Sequence, residues 1–88
     1  MSIRDRVRRY IIEDLKWPDE PSALTDDFSL IEGRVLDSIR VLSLVQFLES
    51  EYGIEVRDTE ITSQHLDTLA RIENYVTTKQ APQGQESG

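Results

Sequence analysis

Asp37 and Ser38 are the residues whose types and spacing best suit chemistry in this chain of 88 residues. The serine hydroxyl is a potential nucleophile, and it precedes the most hydrophobic predicted helix, at the positive end of the helix dipole. The backbone amides of the first turn would stabilise the charge of a phosphodiester on this hydroxyl. Asp37 is placed to cap the helix or to help bind a metal-assisted modifying enzyme. Alternatively, the pair is an ordinary N-terminal cap, because Asp-Ser followed by an aliphatic residue often arises by chance.

A nucleophilic catalytic group could combine Asp37, Ser38 and His65, the only histidine of the chain. Such a group also needs an oxyanion hole and a substrate cleft. A chain of this length forms one small core and leaves little scaffold for a deep, walled pocket. The sequence therefore predicts that the protein is not an enzyme. It also predicts no metal site, because there is no cysteine and because Asp26 and Asp27 are not arranged as a calcium loop.

The formal net charge of −7 is unevenly distributed along the chain. Residues 1–16 hold five basic and three acidic residues, whereas residues 17–88 hold five basic and fourteen acidic residues. This balance excludes nucleic acid as the ligand of the main body and suits basic protein partners. No apolar run has the length of a signal peptide or of a membrane span. The sequence therefore predicts a cytoplasmic, monomeric protein that does not bind membranes.

Three main helices and one short helix are predicted to position these residues. Apolar residues recur at helical spacing over residues 3–15, 38–52 and 69–77, and a short helix is predicted over residues 62–66. The residues suited to cap or end these helices are Ser2, Trp17, Pro18, Gly53, Thr62 and Thr68. The predicted fold class is all-α: a small bundle with a long loop between helices 1 and 2.

The loop over residues 17–36 is long for a compact domain, but it carries apolar residues that can anchor it to the bundle. These anchors are Leu24, Phe28, Leu30, Ile31, Val35 and Leu36. Trp17 is predicted to cover the end of helix 1. Residues 78–88 consist largely of Gln, Gly, Ser, Pro and Lys, which predicts a disordered tail after the folded domain.

Four segments in order resemble the carrier proteins of fatty-acid, polyketide and nonribosomal-peptide synthesis. Residues 24–28 (LTDDF) resemble the family's loop before the attachment site, and residues 36–39 (LDSI) resemble its attachment motif. Residues 47–54 (FLESEYGI) are similar to the end of its second helix, and residues 69–76 (LARIENYV) to its last helix. The resemblance extends over residues 24–76, and the predicted first helix also fits the family's architecture. We therefore interpret the chain as a stand-alone acyl- or peptidyl-carrier protein.

The resemblance implies that Ser38 accepts 4′-phosphopantetheine from coenzyme A, in a reaction carried out by a separate phosphopantetheinyl transferase. It also implies that Asp37 belongs to the attachment motif. The thiol of the arm would hold an acyl or aminoacyl cargo as a thioester, loaded by a ligase and used by downstream synthase enzymes. Residues 1–77 would then form a carrier domain, which presents its cargo and catalyses nothing itself.

The second helix is the main docking surface for partners in the carrier family. In this chain its predicted core stripe consists of Val41, Leu44, Val45, Leu48 and Tyr52. Ile39 and Leu42 lie outside this stripe and close to Ser38, and Gln46 and Glu49 share their side of the helix. We predict that these four residues contact partner enzymes; the alternative for Leu42 is a partly buried flank position.

The predicted second helix departs from the pattern of fatty-acid carriers, which usually keep it strongly acidic. Here Arg40 and Ser43 stand early in the helix, and acids occur only at Glu49 and Glu51. Residues 62–66 (TSQHL) look more like stand-alone carriers of amino-acid or specialised-metabolite pathways, so we predict such a pathway rather than housekeeping fatty-acid synthesis. The alternative is an unmodified helical interaction module, or a degenerate carrier that lacks the arm.

Overall fold

The computed structural model describes residues 2–80, in which every regular element is helical and no strand occurs. The helices are α1 (Ile3–Glu13), α2 (Arg40–Tyr52), α3 (Ser63–Leu66) and α4 (Leu69–Gln80), with single 3₁₀ turns at Pro21–Ala23 and Asp58–Glu60. Three of the four helices are long and one is short, so the predicted all-α bundle with a long first loop is confirmed. Within the described residues, no helix is long and apolar enough to cross a membrane.

Three of the predicted caps and stops have the expected geometry. The Ser2 hydroxyl accepts a hydrogen bond from the Asp5 N–H at 3.1 Å, at the start of α1. The Thr68 hydroxyl does the same for the Arg71 N–H at 3.1 Å, at the start of α4. Gly53 ends α2 in a left-handed conformation (φ 64°), which glycine adopts without steric cost. These local signals explain why the helices begin and end near the predicted residues.

The last helix is longer than predicted, because α4 continues to Gln80 instead of ending at residue 77. Residues 78–80 are therefore helical, which corrects the predicted start of the disordered tail. A long-range ion pair supports this extra turn: Lys79 Nζ lies 2.9 Å from Glu60 Oε1. Composition alone does not show such a contact. The remainder of the predicted tail, residues 81–88, lies outside the described residues.

The core is formed by apolar side chains from all four helices and from the long loop. Its fully or almost fully buried members are Val7, Ile11, Leu15, Leu24, Leu30, Val35, Leu36, Leu44, Val45, Leu48, Val56, Leu66, Leu69, Ile72, Tyr75 and Val76. Four of the six predicted loop anchors belong to this set, and Phe28 is partly buried against it. Ile31 is the exception: it is 42% exposed and contributes to the surface instead of the core.

Aromatic contacts hold α2 against α1 and join two parts of the long loop. The rings of Tyr10 and Phe47 are stacked, with centroids 4.1 Å apart and an interplanar angle of 12°. Phe47 therefore packs against α1, although it lies outside the core stripe of α2. Trp17 lies edge-to-face against Phe28 at 5.2 Å, and its Nε1 donates to the Glu20 carbonyl at 2.7 Å. The first contact joins α1 to α2, and the contacts of Trp17 stay within the loop over residues 17–36.

An ion-pair network ties the first half of the loop to α1 and α4. The Asp26 carboxylate accepts hydrogen bonds from Arg8 at 2.6 Å and from Arg4, which also pairs with Glu73 of α4. The Ala70 N–H donates to the Asp26 carbonyl at 3.0 Å, so both the side chain and the backbone of Asp26 anchor the loop. Partly exposed pairs of this kind are worth about 0–1 kcal/mol each, so they fix the loop position more than they stabilise the fold.

Candidate modification site

Asp37 caps the N-terminus of α2 directly beside Ser38. Its Oδ1 accepts hydrogen bonds from the N–H groups of Ile39 at 3.0 Å and Arg40 at 2.7 Å. These bonds, led by the one from Arg40, hold the pKa of the Asp37 carboxyl below its usual range, so the group is ionised at neutral pH. Of the two roles predicted for Asp37, the capping role has its geometry in place.

The regular part of α2 begins at Arg40, two residues later than predicted. The Val41 N–H donates to the Asp37 carbonyl at 2.9 Å, as in an α-helix, whereas the Leu42 N–H donates to the Ile39 carbonyl at 3.1 Å, so the first turn mixes α-helical and 3₁₀ hydrogen bonds. Ser38 and Ile39 therefore lie in a turn that links the loop to the helix. Within this turn the Asp37 side chain accepts hydrogen bonds from the N–H groups of Ile39 and Arg40, which have no partner inside the helix. The spacing of apolar residues does not indicate this contact.

Ser38 is exposed, and its hydroxyl forms no hydrogen bond with any group in residues 2–80. His65, the only histidine, instead has its ring 4.9 Å from the ring of Tyr75 in α4. The described residues thus provide no base within hydrogen-bond distance of the Ser38 oxygen, which nucleophilic catalysis by this chain would require. The Ser38 hydroxyl is thus accessible to another protein, and no side chain among residues 2–80 is placed to accept its proton.

An open cavity of about 300 Å³ lies beside Ser38. Its walls come from the end of the long loop, the start of α2, and the segment that leads into and includes α3. The residues that line it are Ile31, Leu36, Asp37, Ser38, Val41, Ile61, Thr62, Ser63 and Leu66. Val41 was predicted to belong to the core stripe; it is partly buried and forms one of the apolar walls. The site thus combines an exposed hydroxyl with an apolar groove at the same place.

Glu60 anchors the α3 wall of this cavity to the last helix. Its Oε1 accepts hydrogen bonds from the Tyr75 hydroxyl at 2.8 Å, from Lys79 Nζ at 2.9 Å and from the Arg57 N–H at 3.1 Å. The bond from Lys79 is the main reason why the pKa of Glu60 falls from 4.5 to about 2. The adjoining Ile61 lines the cavity, so this carboxylate holds one end of the wall in place.

Replacing Glu60 by glutamine should remove a pH-dependent part of the stability. The pKa of the folded state lies below the ordinary value, so the carboxylate contributes fully above pH 4.5 and loses its contribution as the pH falls toward 2. We expect Glu60→Gln to be less stable than the wild type at neutral pH. The difference should shrink as the pH falls, because a protonated Glu60 resembles glutamine.

Denaturant unfolding of both proteins between about pH 6 and pH 2.5 measures this difference directly. Other carboxylates titrate over the same range, but they are common to the two proteins and cancel in the comparison. A difference in unfolding free energy that stays constant with pH would show that Glu60 does not stabilise the fold through its charge.

The apolar surface around Ser38 consists of three side chains. Ile39 is 73% exposed, Leu42 is 53% exposed and Ile31, across the cavity, is 42% exposed. Gln46, on the same side of α2, is also exposed. Ile31 was assigned to the core by its hydrophobicity alone, and the folded loop brings it to this surface instead. Exposed apolar side chains grouped in this way are typical of a surface that binds a partner.

The two acids of α2 are engaged within the chain. Glu49 is half-buried, and its Oε2 accepts a hydrogen bond from the Val56 N–H at 2.9 Å. Glu51 pairs with Arg6 of α1, with Nε and Oε2 3.2 Å apart. Of the four predicted docking residues, Glu49 is therefore the one whose carboxylate already accepts a hydrogen bond within the chain. No acid occurs in the first turn of the helix.

A helical bundle that presents an exposed serine at the start of its second long helix fits the carrier architecture expected from the sequence. Residues 5–76 match the family model described as "Phosphopantetheine attachment site". This match covers most of the chain, which therefore belongs to the phosphopantetheine attachment site family. Its members carry covalently attached 4′-phosphopantetheine and are acted on by partner enzymes, including phosphopantetheinyl transferases and synthases.

Curated relatives support the same assignment. The chain is 33% identical over 76 residues to the acyl carrier protein of Campylobacter curvus, a match that covers 86% of this chain and 94% of the relative. It is 30% identical over 83 residues to the acyl carrier protein of Rickettsia canadensis, covering 92% and 94% of the two chains. The chain is thus a carrier protein, which partner enzymes act on, and not a catalyst; this confirms the predicted family and cofactor.

The residues beside Ser38 fit this cofactor. The exposed hydroxyl stands at the N-terminal turn of a 13-residue helix, where a phosphodiester is electrostatically favoured. The apolar cavity at the same place could receive a less polar part of an arm attached at Ser38. When bound, the group supplies a flexible thiol that holds cargo as a thioester.

Proposed function

We propose that Ser38 is the attachment site of 4′-phosphopantetheine and that the protein carries an acyl or aminoacyl cargo on this arm. The observation that carries the proposal is the exposed Ser38 hydroxyl, free of hydrogen bonds to residues 2–80, at the start of α2. Asp37 orders the turn around it. The Ser38 oxygen forms the phosphodiester as the pyrophosphate bond of coenzyme A breaks, adenosine 3′,5′-bisphosphate leaves, and the proton of the hydroxyl passes to a base of the modifying transferase. Asp37 also belongs to the motif that the transferase recognises.

We propose further that partners dock on α2 through Ile39, Leu42 and Gln46, which are exposed next to Ser38. Glu49 has a smaller part in docking, because its carboxylate accepts the Val56 N–H. The partners in this proposal are the transferase, a ligase that loads the cargo, and the synthase enzymes that use it. The protein acts as a monomer in the cytoplasm.

The lack of free acids on α2 supports a specialised-metabolite or amino-acid-loading pathway over housekeeping fatty-acid synthesis. Arg40 stands in the first turn, and the only acids, Glu49 and Glu51, are engaged in contacts within the chain. This surface is less suited to basic partners than a strongly acidic helix would be. Holo-protein that supports fatty-acid elongation as well as a fatty-acid carrier does would contradict this part of the proposal.

The attachment site is tested by intact-mass measurement after incubation with coenzyme A and a broad-specificity phosphopantetheinyl transferase. The wild type should gain one phosphopantetheine, and Ser38→Ala should gain none while keeping its melting temperature, because the exposed hydroxyl has no partner to lose. Ser63→Ala is the matched control, since Ser63 lines the same cavity and should not be modified. Mass gain by Ser38→Ala would refute the site. A wild type that is never modified would favour the degenerate carrier or interaction module.

A further inference from the structure

Asp67, between α3 and α4, binds the loop that precedes Ser38 through both its side chain and its backbone. Its Oδ1 accepts hydrogen bonds from the Ser29 hydroxyl at 2.8 Å and from the Ile31 N–H at 3.1 Å. Its carbonyl accepts a third from the Leu30 N–H at 2.7 Å. Three consecutive loop residues are therefore held by a single residue of the helical bundle.

Hydrogen bonds within the loop connect the residues that Asp67 binds to the proposed attachment site. The Leu30 carbonyl accepts hydrogen bonds from the N–H groups of Val35 at 2.9 Å and Leu36 at 3.0 Å. Leu36 is followed directly by Asp37 and Ser38. The Ser29 hydroxyl in turn accepts the Glu32 N–H at 3.1 Å, which closes the turn. Backbone hydrogen bonds thus link Asp67 to Leu30 and Leu30 to Leu36, and Leu36 lies two residues before Ser38 in the chain.

Asp67 also joins two walls of the cavity beside Ser38. The loop wall contains Ile31, whose N–H bonds to Asp67, and the facing wall contains Leu66, which directly precedes Asp67 in the chain. The separation of these walls at one end is therefore set by the Asp67 side chain. The bundle itself does not depend on this contact, because Leu66 and Leu69 are buried and Thr68 caps α4 independently.

We propose that Asp67 is a positioning residue, which holds the loop over residues 29–36 in the conformation that presents Ser38 to the transferase. This inference rests on the proposed attachment at Ser38. Without the Asp67 carboxylate the loop samples other conformations, and only the fraction of molecules with the loop in place can be modified. The apparent affinity of the transferase for the protein falls in proportion to that fraction, whereas the rate of the chemical step in the productive complex does not change.

The test compares transferase kinetics of Asp67→Ala, Asp67→Asn and the wild type. Asp67→Ala should raise the KM for the carrier about tenfold with little change in kcat, and should accelerate hydrogen exchange at the Ile31 N–H. Asp67→Asn should remain within about twofold of the wild type, because an amide oxygen can accept both hydrogen bonds. If Asp67→Ala does not fold, Ser29→Ala serves in its place and should also raise the KM, since it removes one of the two bonds to the Asp67 carboxylate together with the bond that Ser29 accepts from the Glu32 N–H.

Asp26→Ala is the matched control. It removes a carboxylate that ties the same loop to the bundle through Arg8 and Arg4, on a part of the loop that does not line the cavity. It should loosen the loop around Asp26, lower the melting temperature only slightly, and leave the KM unchanged, because residues 29–36 keep their contacts with Asp67. Equal effects of Asp26→Ala and Asp67→Ala on the KM would overturn the inference, as would faster exchange at Ile31 with unchanged kinetics. If the wild type itself is not modified at Ser38, the proposed function fails first and this role fails with it.

Discussion

Leu48→Ser is expected to unfold much of the protein, whereas Leu42→Ser, the same substitution in the same helix, should leave it folded. Leu48 is fully buried, and Leu42 is 53% exposed. Truncation of a buried leucine costs about 2–5 kcal/mol, and the serine would add a buried hydroxyl without a partner. A domain of this size has about 5 kcal/mol of stability in total, so the loss at Leu48 approaches all of it.

The two variants also separate folding from recognition. Thermal melts should show a large loss for Leu48→Ser and almost none for Leu42→Ser or Ile39→Ser. The initial rate of phosphopantetheine transfer should fall for Ile39→Ser and Leu42→Ser although both stay folded, because they remove apolar contacts at the interface. If Leu42→Ser melts as early as Leu48→Ser, the exposed face of α2 is not where the structure places it. If Ile39→Ser and Leu42→Ser are both stable and fully active, the docking surface lies elsewhere.

Gly33→Ala is expected to disrupt the loop before the attachment site by steric overlap. A Cβ at this position would overlap Phe28 Cζ, lie 2.6 Å from Phe28 Cε2 and lie 2.9 Å from the Ser29 carbonyl oxygen. To make room, the Phe28 ring would have to give up its edge-to-face contact with Trp17. Overpacking of this kind costs about 1–3 kcal/mol. The variant should therefore melt at a lower temperature and show an altered fluorescence spectrum of Trp17, the only tryptophan.

Gly53→Ala is the control for Gly33→Ala. Nothing lies within 4 Å of a Cβ at Gly53, but its φ of +64° is unfavourable for alanine. This variant should lose about 1–2 kcal/mol through backbone strain alone and leave the Trp17 spectrum unchanged. A Gly33→Ala protein with the melting temperature and the fluorescence of the wild type would show that the Phe28 ring gives way without cost.

The helices could be predicted from the sequence because their signals are local. Apolar spacing identified α1, α2 and α4, and single residues such as Ser2, Gly53 and Thr68 marked their ends. The assignment of Asp37 and Ser38 to an attachment motif came instead from the resemblance of four segments to the carrier family, because the pair alone also fits an ordinary helix cap. Periodicity and capping act over a few residues, and so they are visible in a single sequence.

The features that the sequence did not reveal depend on contacts between distant residues. Glu49 was assigned to the docking surface by its place on the helix, but the chain after Gly53 returns and brings the Val56 N–H to its carboxylate. Ile31 was expected to be buried because it is apolar, but the turn that Asp67 holds directs it outward. Asp67 itself gave no signal, because its partners lie about 36 to 38 positions away in the chain.

The engagement of the acids of α2 within the chain has a consequence for how partners arrive. Residues 31–48 contain two acidic and two basic residues, so this part of the chain is formally neutral and the net charge of −7 comes from the remainder. Long-range attraction would therefore draw a basic partner first to other parts of the surface. If partners dock on α2 as proposed, such a partner must then reorient on the protein surface to reach Ser38, and we expect short-range apolar contact with Ile39 and Leu42 to select the productive orientation.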